Sequence, residues 1–355
     1  MEACYLHQIA AVCALGNDIE TISEALFTTA VSPLKVIDNY LPERVLPVGK
    51  VDVPLVADTR NNSLLAAALV PLKPAVETLK HRYGADRIAV ILGSSTSGIA
   101  EGEAAIAHHL RTGEFPAGFH YQQQEMSAPA EFVARELQVQ GPAWTISTAC
   151  TSSAKAIASG ARLLALGVCD AVVVGGADSL CRLTLTGFSS LEAVSDTLCN
   201  PFSINRKGIN IGEAAALMIL SREPGAVRLA GYGETSDAYH ISAPHPEGRG
   251  AEAAMRAALA HAGLQPGDID YINLHGTATE HNDQMESHAV ARVFGANIPC
   301  GSTKPLTGHT LGAAGALEAL FCYLTLVDGD GRLPRHLWDG ERDPARSGVH
   351  RPVAE

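Results

Sequence analysis

Apolar residues in this chain gather into short blocks of two kinds, and the two kinds alternate. Ile88-Ala89-Val90-Ile91-Leu92 and Ala171-Val172-Val173-Val174 are wholly apolar runs closed by Gly93 and Gly175, and Ala214 to Leu220 is a third such run. Runs of that length without a polar face predict strands covered on both sides. Between them the spacing turns helical. Asp18 or Asn17 caps a helix from about Ile19 to Phe27, after a first strand over residues 5–14. Ser63 to about Tyr83 reads as helix broken by Pro71 and Pro74. Ser94 to Gly98 is a turn before a helix ending near Thr112, and Ala128 to Leu137 is another helix. Residues 31–62, 122–124 and 179–211 carry no steady period and read as loops.

The alternation restarts near residue 225. Val227 to Tyr232, Ile269 to Leu274 and Ile298 to Ser302 read as strands; Gly250 to His261, Gln284 to Phe294 and Ala313 to Val327 read as helices. Strands and helices alternating on short connections predict an α/β fold with parallel sheets covered on both faces. The restart divides the chain into two similar halves, 1–225 and 226–355, without a visible residue-level repeat.

One junction stands out. Trp144 to Thr148 is β-friendly, and a small-residue helix runs on from Ala154 through Ile157, Ala161 and Leu164. Cys150 falls between them, beside the free N–H groups of a helix start, which favour a thiolate and can hold an oxyanion. A nucleophile on a sharp strand-to-helix turn is the geometry of the nucleophile elbow. The competing reading is a buried, inert cysteine.

Composition removes several classes. The chain has 355 residues, 46% hydrophobic and 18% charged, as a globular protein should. Net charge is −12 with no Lys/Arg run, which argues against nucleic acid and anionic membrane as partners. No signal peptide and no run of membrane-spanning length is visible, so a cytoplasmic location is expected. The eight cysteines form no CxxC pair or disulfide framework, and no Cys/His cluster has metal-ligand spacing. Reduced thiols and no bound metal are expected.

Two more stretches carry unusual chemistry at strand ends, where α/β folds bind ligands. They are Asn273-Leu274-His275-Gly276-Thr277-Ala278-Thr279-Glu280-His281-Asn282-Asp283 and Gly301-Ser302-Thr303-Lys304-Pro305-Leu306-Thr307-Gly308-His309-Thr310-Leu311-Gly312-Ala313-Ala314-Gly315. A single histidine after a strand is usually structural. Two of them in Gly/Thr turns, together with the Cys150 junction, point to catalysis.

In that order, the three stretches resemble the β-ketoacyl-[acyl-carrier-protein] synthases of the thiolase fold, and the likeness runs from about residue 5 to about residue 338. Val174 to Asp178, Pro201-Phe202 and Gly212-Glu213-Ala214 match as well. The resemblance implies a layered α-β-α-β-α architecture and a decarboxylative condensing enzyme of fatty-acid or polyketide elongation. Cys150 takes the position of the acyl-accepting nucleophile, and His275 and His309 those of enolate stabilisers. Lys304 matches the family's active-site lysine and Glu318 its carboxylate partner. Thr277, Thr279 and Phe202 match residues along the phosphopantetheine tunnel. The resemblance implies acyl- and malonyl-carrier protein as partners and no resident cofactor, the pantetheine arriving with the carrier. It also implies a dimer, either with itself or with a chain-length factor, formed through the strand at 144–148.

The sequence departs from the family in two places. Elongating synthases usually carry Pro after the second Thr of the HGTAT-like stretch, where this chain has Glu280-His281-Asn282-Asp283; a specialised branch such as the aryl polyene synthases is expected. The Gly-rich, Phe-containing hairpin that closes the family's second half does not occur before Glu355. The expectation is therefore missing sequence or an altered end, with residues 329–355 loosely held over an incomplete sheet. A non-catalytic chain-length factor would lack the nucleophilic Cys, and a degradative thiolase would need a second one and CoA. A Rossmann dehydrogenase is set aside because Ser236 stands where the third glycine after Gly231-Tyr232-Gly233 belongs.

Overall fold

The computed structural model describes residues 4–41, 44–240 and 243–343. Its first part builds a large sheet and a separate short hairpin. In chain order come β1 (Tyr5–Val12), α1 (Ile19–Thr28), β2 (Lys35–Ile37), β3 (Leu46–Val48), α2 (Arg60–Leu69) and α3 (Lys73–Tyr83). There follow β4 (Ile88–Gly93), α4 (Ile99–Thr112), α5 (Ala128–Leu137), β5 (Ala143–Ile146), α6 (Ser152–Ala165), β6 (Ala171–Asp178), α7 (Arg182–Ser190) and β7 (Ala214–Ser221). Local signals account for some ends: the Asp18 carboxylate accepts from Thr21 N–H to cap α1, and Pro71 and Pro74 separate α2 from α3 as expected.

Six strands pair in the order β5-β4-β6-β7-β1-β8, where β8 is Val227–Arg228. β5, β4 and β6 run parallel, but β6–β7, β7–β1 and β1–β8 are antiparallel, so the sheet is mixed and not parallel throughout. Both faces are covered. Ala89, Ile91, Val172, Val174, Met218 and Leu220 pack against α1, α6 and the last long helix. Val90, Leu92, Val173, Leu217 and Ile219 point the other way, against α2 and α5. The two-residue alternation of a pleated strand distributes one apolar run between two cores.

The remaining elements are α8 (Arg249–Ala262), β9 (Ile272–Asn273), α9 (Glu280–Phe294), β10 (Cys300–Gly301), the single turn α10 (Lys304–Thr307) and α11 (Ala314–Val327). β9 and β10 pair in parallel, and α8 packs on α9. α11 lies against α6 on one side, while its Cys322 approaches Asn273 on the other. The order helices, sheet, α6 with α11, small sheet, helices is thus the layered α-β-α-β-α arrangement.

Four expectations need correction. Residues 31–62 hold the hairpin β2–β3 and the start of α2, and residues 179–211 contain α7. The strand expected over Val227 to Tyr232 pairs only at Val227–Arg228, where β1 offers a partner. Residues 329–343 are not loosely held: Arg335 N–H donates to Leu26 O, His336 is buried, Arg206 pairs with Asp343, and Ile204 N–H donates to Glu341 O. Residues 344–355 lie outside the described residues. None of the described helices is long and apolar enough to cross a membrane.

The sheet is set tightly against α6, the helix that follows Cys150. A Cβ on Gly93 would stand 2.2 Å from Ser153 N and 2.4 Å from Ser152 C. Gly93→Ala is therefore expected to destabilise the fold by about 3 kcal/mol, through backbone that cannot yield. Chemical denaturation checks this, and an unchanged midpoint would refute it.

Candidate active site

Three segments meet where β5, β9 and β10 end. The chain leaves β5 and turns at Ala149, a non-glycine residue with φ +53°, which presents Cys150 just before α6. Thr148 and Ser152 brace that turn: Thr148 N–H donates to Ser152 Oγ at 2.9 Å, and Ser152 Oγ donates to Ala149 O at 2.6 Å. His275 follows β9. Glu286, buried on α9, accepts from His275 N–H at 2.6 Å and Gly276 N–H at 2.8 Å, fixing the turn that carries the ring. Asp283, also buried, accepts from Phe202 N–H and Ala278 N–H. His309 is held by its own backbone, through His309 N–H to Asn210 O at 2.6 Å and Gly212 N–H to His309 O at 2.9 Å.

The reactive groups then converge. His309 Nε2 lies 3.0 Å from Cys150 Sγ, and the two imidazole rings meet edge to face with centroids 5.0 Å apart. Lys304 is buried and ion-paired with Glu318 of α11. Its ammonium acts on all three groups, lowering the pKa of Cys150, His275 and His309. Burial is the larger influence on both imidazoles, and both causes keep them neutral: His275 falls to about 3, and His309 falls well below its usual range. Burial raises Glu318, against the opposing pull of Lys304.

The thiol departs from expectation. Burial pushes Cys150 up to about 11, outweighing Lys304 and its own backbone N–H, which both favour the thiolate. The helix start supplies less than desolvation removes. Burial thus holds Cys150 toward the neutral thiol.

Tautomer assignment follows from one backbone group. Leu311 N–H donates to His309 Nδ1 at 3.3 Å, so Nδ1 carries the lone pair. A neutral imidazole then has its proton on Nε2, pointing at the sulfur. His309 is thus set to donate toward Cys150 Sγ. No Cys/His cluster has ligand spacing along the chain, yet ligand atoms of Cys150, His275 and His309 lie within 4.8 Å of one another in space. Sequence spacing could not show a cluster assembled from three distant segments. A metal on His309 Nε2 would require a proton on Nδ1, against the Leu311 N–H. The donor set therefore suits hydrogen bonding better than ligation.

The other expected residues also gather here. Thr277 and Thr279 hydroxyls bond one another at 2.9 Å. Phe202 packs into the cluster with Leu274 and Cys300, and a Cβ on Gly276 would stand 2.9 Å from its ring. Sequence reasoning missed the roles of Asp283 and Glu286, whose only signal was acidic residues on a helix start. It also gave no role to Asp178, which is fully buried at the end of β6 among the turns that follow β4 and His309.

The chain as a whole is similar to several known proteins. Residues 67–226 match the sequence model of the beta-ketoacyl synthase N-terminal domain, and residues 226–336 that of the C-terminal domain. The 3-oxoacyl-[acyl-carrier-protein] synthase 2 of Staphylococcus aureus is 34% identical over 284 residues, covering 74% of this chain and 70% of the relative. Nodulation protein E of Rhizobium sp. (strain N33) is 33% identical over 345 residues, covering 90% and 85%. Among solved structures, a chain of the ketosynthase ApeO in complex with its chain length factor ApeC from Xenorhabdus doucetiae superposes with a TM-score of 0.90 at 47% identity, covering 98% of this chain and 88% of that one. The ishigamide ketosynthase/chain length factor gives a TM-score of 0.86 at 26% identity, covering 97% and 90%.

With Cys150 raised by burial, its alkylation by iodoacetamide should climb roughly tenfold per pH unit from about pH 7 to about pH 10. Peptide mass spectrometry across that range measures it. A plateau below about pH 8.5 would mean that a thiolate is already present.

Proposed function

The chain belongs to the β-ketoacyl synthase family, condensing acyltransferases that make 3-oxoacyl thioesters, and we propose that Cys150, His275, His309, Lys304 and Glu318 carry its chemistry. The observation that carries this reading is the His309 Nε2–H aimed at Cys150 Sγ from 3.0 Å, with its tautomer set by the Leu311 N–H.

The thiol first attacks an acyl-carrier thioester. The S–C bond to Cys150 forms, the bond to the pantetheine sulfur breaks, and the thiol proton leaves on the departing pantetheine thiol. Malonyl-carrier then loses CO2, and the electron pair of the broken C–C bond moves onto the thioester oxygen. Neutral imidazoles at His275 and His309 suit that enolate as donors, because they stabilise its charge without protonating it to a dead end. The enolate carbon attacks the acyl group, Cys150 leaves as a thiolate beside Lys304, and one proton from solvent restores the thiol. Thr277, Thr279 and Phe202 border the path of the phosphopantetheine arm. The reading needs no resident cofactor.

Acyl- and malonyl-carrier protein are the partners this chemistry requires. A second, related subunit is the other. β5 is an edge strand of the six-stranded sheet with Trp144 38% exposed, and unpaired edges of this kind seek a partner strand. The similarity to the ApeO–ApeC complex supports a heterodimer with a chain-length factor. Together with the Glu280 departure, that similarity supports an aryl polyene-type branch. The presence of Cys150 supports the ketosynthase side of such a pair for this chain. A cytoplasmic location is part of the same reading, since the eight cysteines form no CxxC pair or disulfide framework in the sequence.

His275→Ala and His309→Ala should each slow malonyl decarboxylation about a hundredfold while changing acyl loading of Cys150 far less. Separate assays of CO2 release and acyl-enzyme formation test this; an equal fall in both would assign the histidines to the thiol instead. Light scattering should give a dimeric mass, alone or with the co-expressed partner. A monomer at micromolar concentration in both samples would remove the β5 interface.

A further inference from the structure

We propose that Asp178 is a positioning residue that determines which nitrogen of His309 carries the proton. Asp178 closes β6 and is fully buried. Its carboxylate accepts from Ser94 Oγ at 2.7 Å, Ser95 N–H at 2.8 Å, Thr96 N–H at 2.9 Å and Thr96 Oγ1 at 2.9 Å, with Ser95 Oγ as a further donor. So many donors from one turn leave the group no freedom to rotate. Its Oδ2 also accepts from Gly312 N–H at 2.6 Å, which reaches across to the loop carrying His309.

That bond fixes the turn after the histidine. Leu311 sits at φ +51°, a conformation that costs a branched side chain roughly 1 kcal/mol or more and persists only under constraint. The constraint is bilateral. On one side the backbone of His309 is paired with Asn210 and Gly212; on the other, Gly312 is tied to Asp178. Between these anchors Leu311 N–H faces Nδ1 of His309 at 3.3 Å. Without the Asp178 anchor the turn relaxes toward ordinary helical φ and the Leu311 N–H leaves the ring. Nδ1 is then free to take the proton, and Nε2 becomes an acceptor facing the sulfur. A rigid sheet end thus selects the donor tautomer through two peptide groups.

The decisive measurement is nitrogen NMR of the folded protein labelled at histidine, comparing wild type with Asp178→Asn, which keeps the shape but sets an NH2 against one of the donors. The wild type is expected to show His309 protonated on Nε2, and D178N to move it toward Nδ1. Malonyl decarboxylation should then lose about tenfold or more in kcat, with KM within about twofold and acyl loading of Cys150 little changed. Gly312→Ala probes the same contact from the other side, since its Cβ would stand 2.8 Å from Asp178 Oδ2; it should reproduce the tautomer change if D178N does not fold. A wild-type His309 protonated on Nδ1 overturns the proposal. So does a folded variant that keeps the Nε2–H form, whatever its rate, because Asp178 would then be merely structural. The kinetic arm rests on the condensing role of His309 and the spectroscopic arm does not. A tautomer change with unaltered kcat would therefore uphold the role of Asp178 and count against His309 as enolate donor.

Discussion

An ammonium buried against a single carboxylate governs this site. Lys304 and Glu318 leave water together, and their mutual attraction makes that tolerable. The pair is more than a structural ion bridge, because the field of Lys304 reaches the sulfur and both rings. One positive charge thus does two opposite things to neighbouring groups: it discourages protons on the imidazoles and welcomes negative charge on the sulfur and on the enolate. Burial reinforces the first effect and opposes the second. The result is a resting site without a net ionised nucleophile, ready to stabilise negative charge as the reaction creates it.

Backbone conformation supplies the precision that this electrostatic arrangement needs. Ala149, Phe202, Ala278 and Leu311 all adopt positive φ without being glycine, and each borders a reactive or substrate-facing side chain. Left-handed backbone at such residues persists only where surroundings over-determine it. Here the surroundings are buried carboxylates that accept backbone N–H groups: Asp283 for Phe202 and Ala278, Glu286 for His275 and Gly276, and Asp178 for Gly312. The acids hold the turns, and the turns hold the chemistry.

The sequence made much of this legible, for local reasons. Apolar runs such as Ile88 to Leu92 announce buried strands, and Pro71 and Pro74 announce a break, because those signals are read within a few residues. Cys150, His275 and His309 were visible as odd chemistry at strand ends, while Lys304 and Glu318 needed the family likeness. Non-local causes escaped. α7 carries only one fully buried apolar residue, Leu185, and its first N–H groups are capped by Glu103 from α4. β2 and β3 are three residues each, with Pro47 in one of them, and carry too short a pattern to detect. The thiol was misjudged because a helix start can be read from sequence, whereas the burial that outweighs it cannot. Asp178 gave no signal of its role, since nothing near it in sequence reveals that Gly312 will be its neighbour.

The distances along the chain have a consequence for synthesis. Cys150 and His309 are separated by 159 positions, and Lys304 also belongs to the late segment. A chain emerging from the ribosome completes the six-stranded sheet and its nucleophile turn well before either imidazole exists. During that interval the sulfur lacks the ammonium of Lys304 and both imidazoles, and has only the N–H groups at the start of α6 beside it. The full constellation exists only once α11 has packed against α6 and Glu318 has met Lys304. The order in which the chain is made thus separates the Cys150 turn in time from the groups that complete its site.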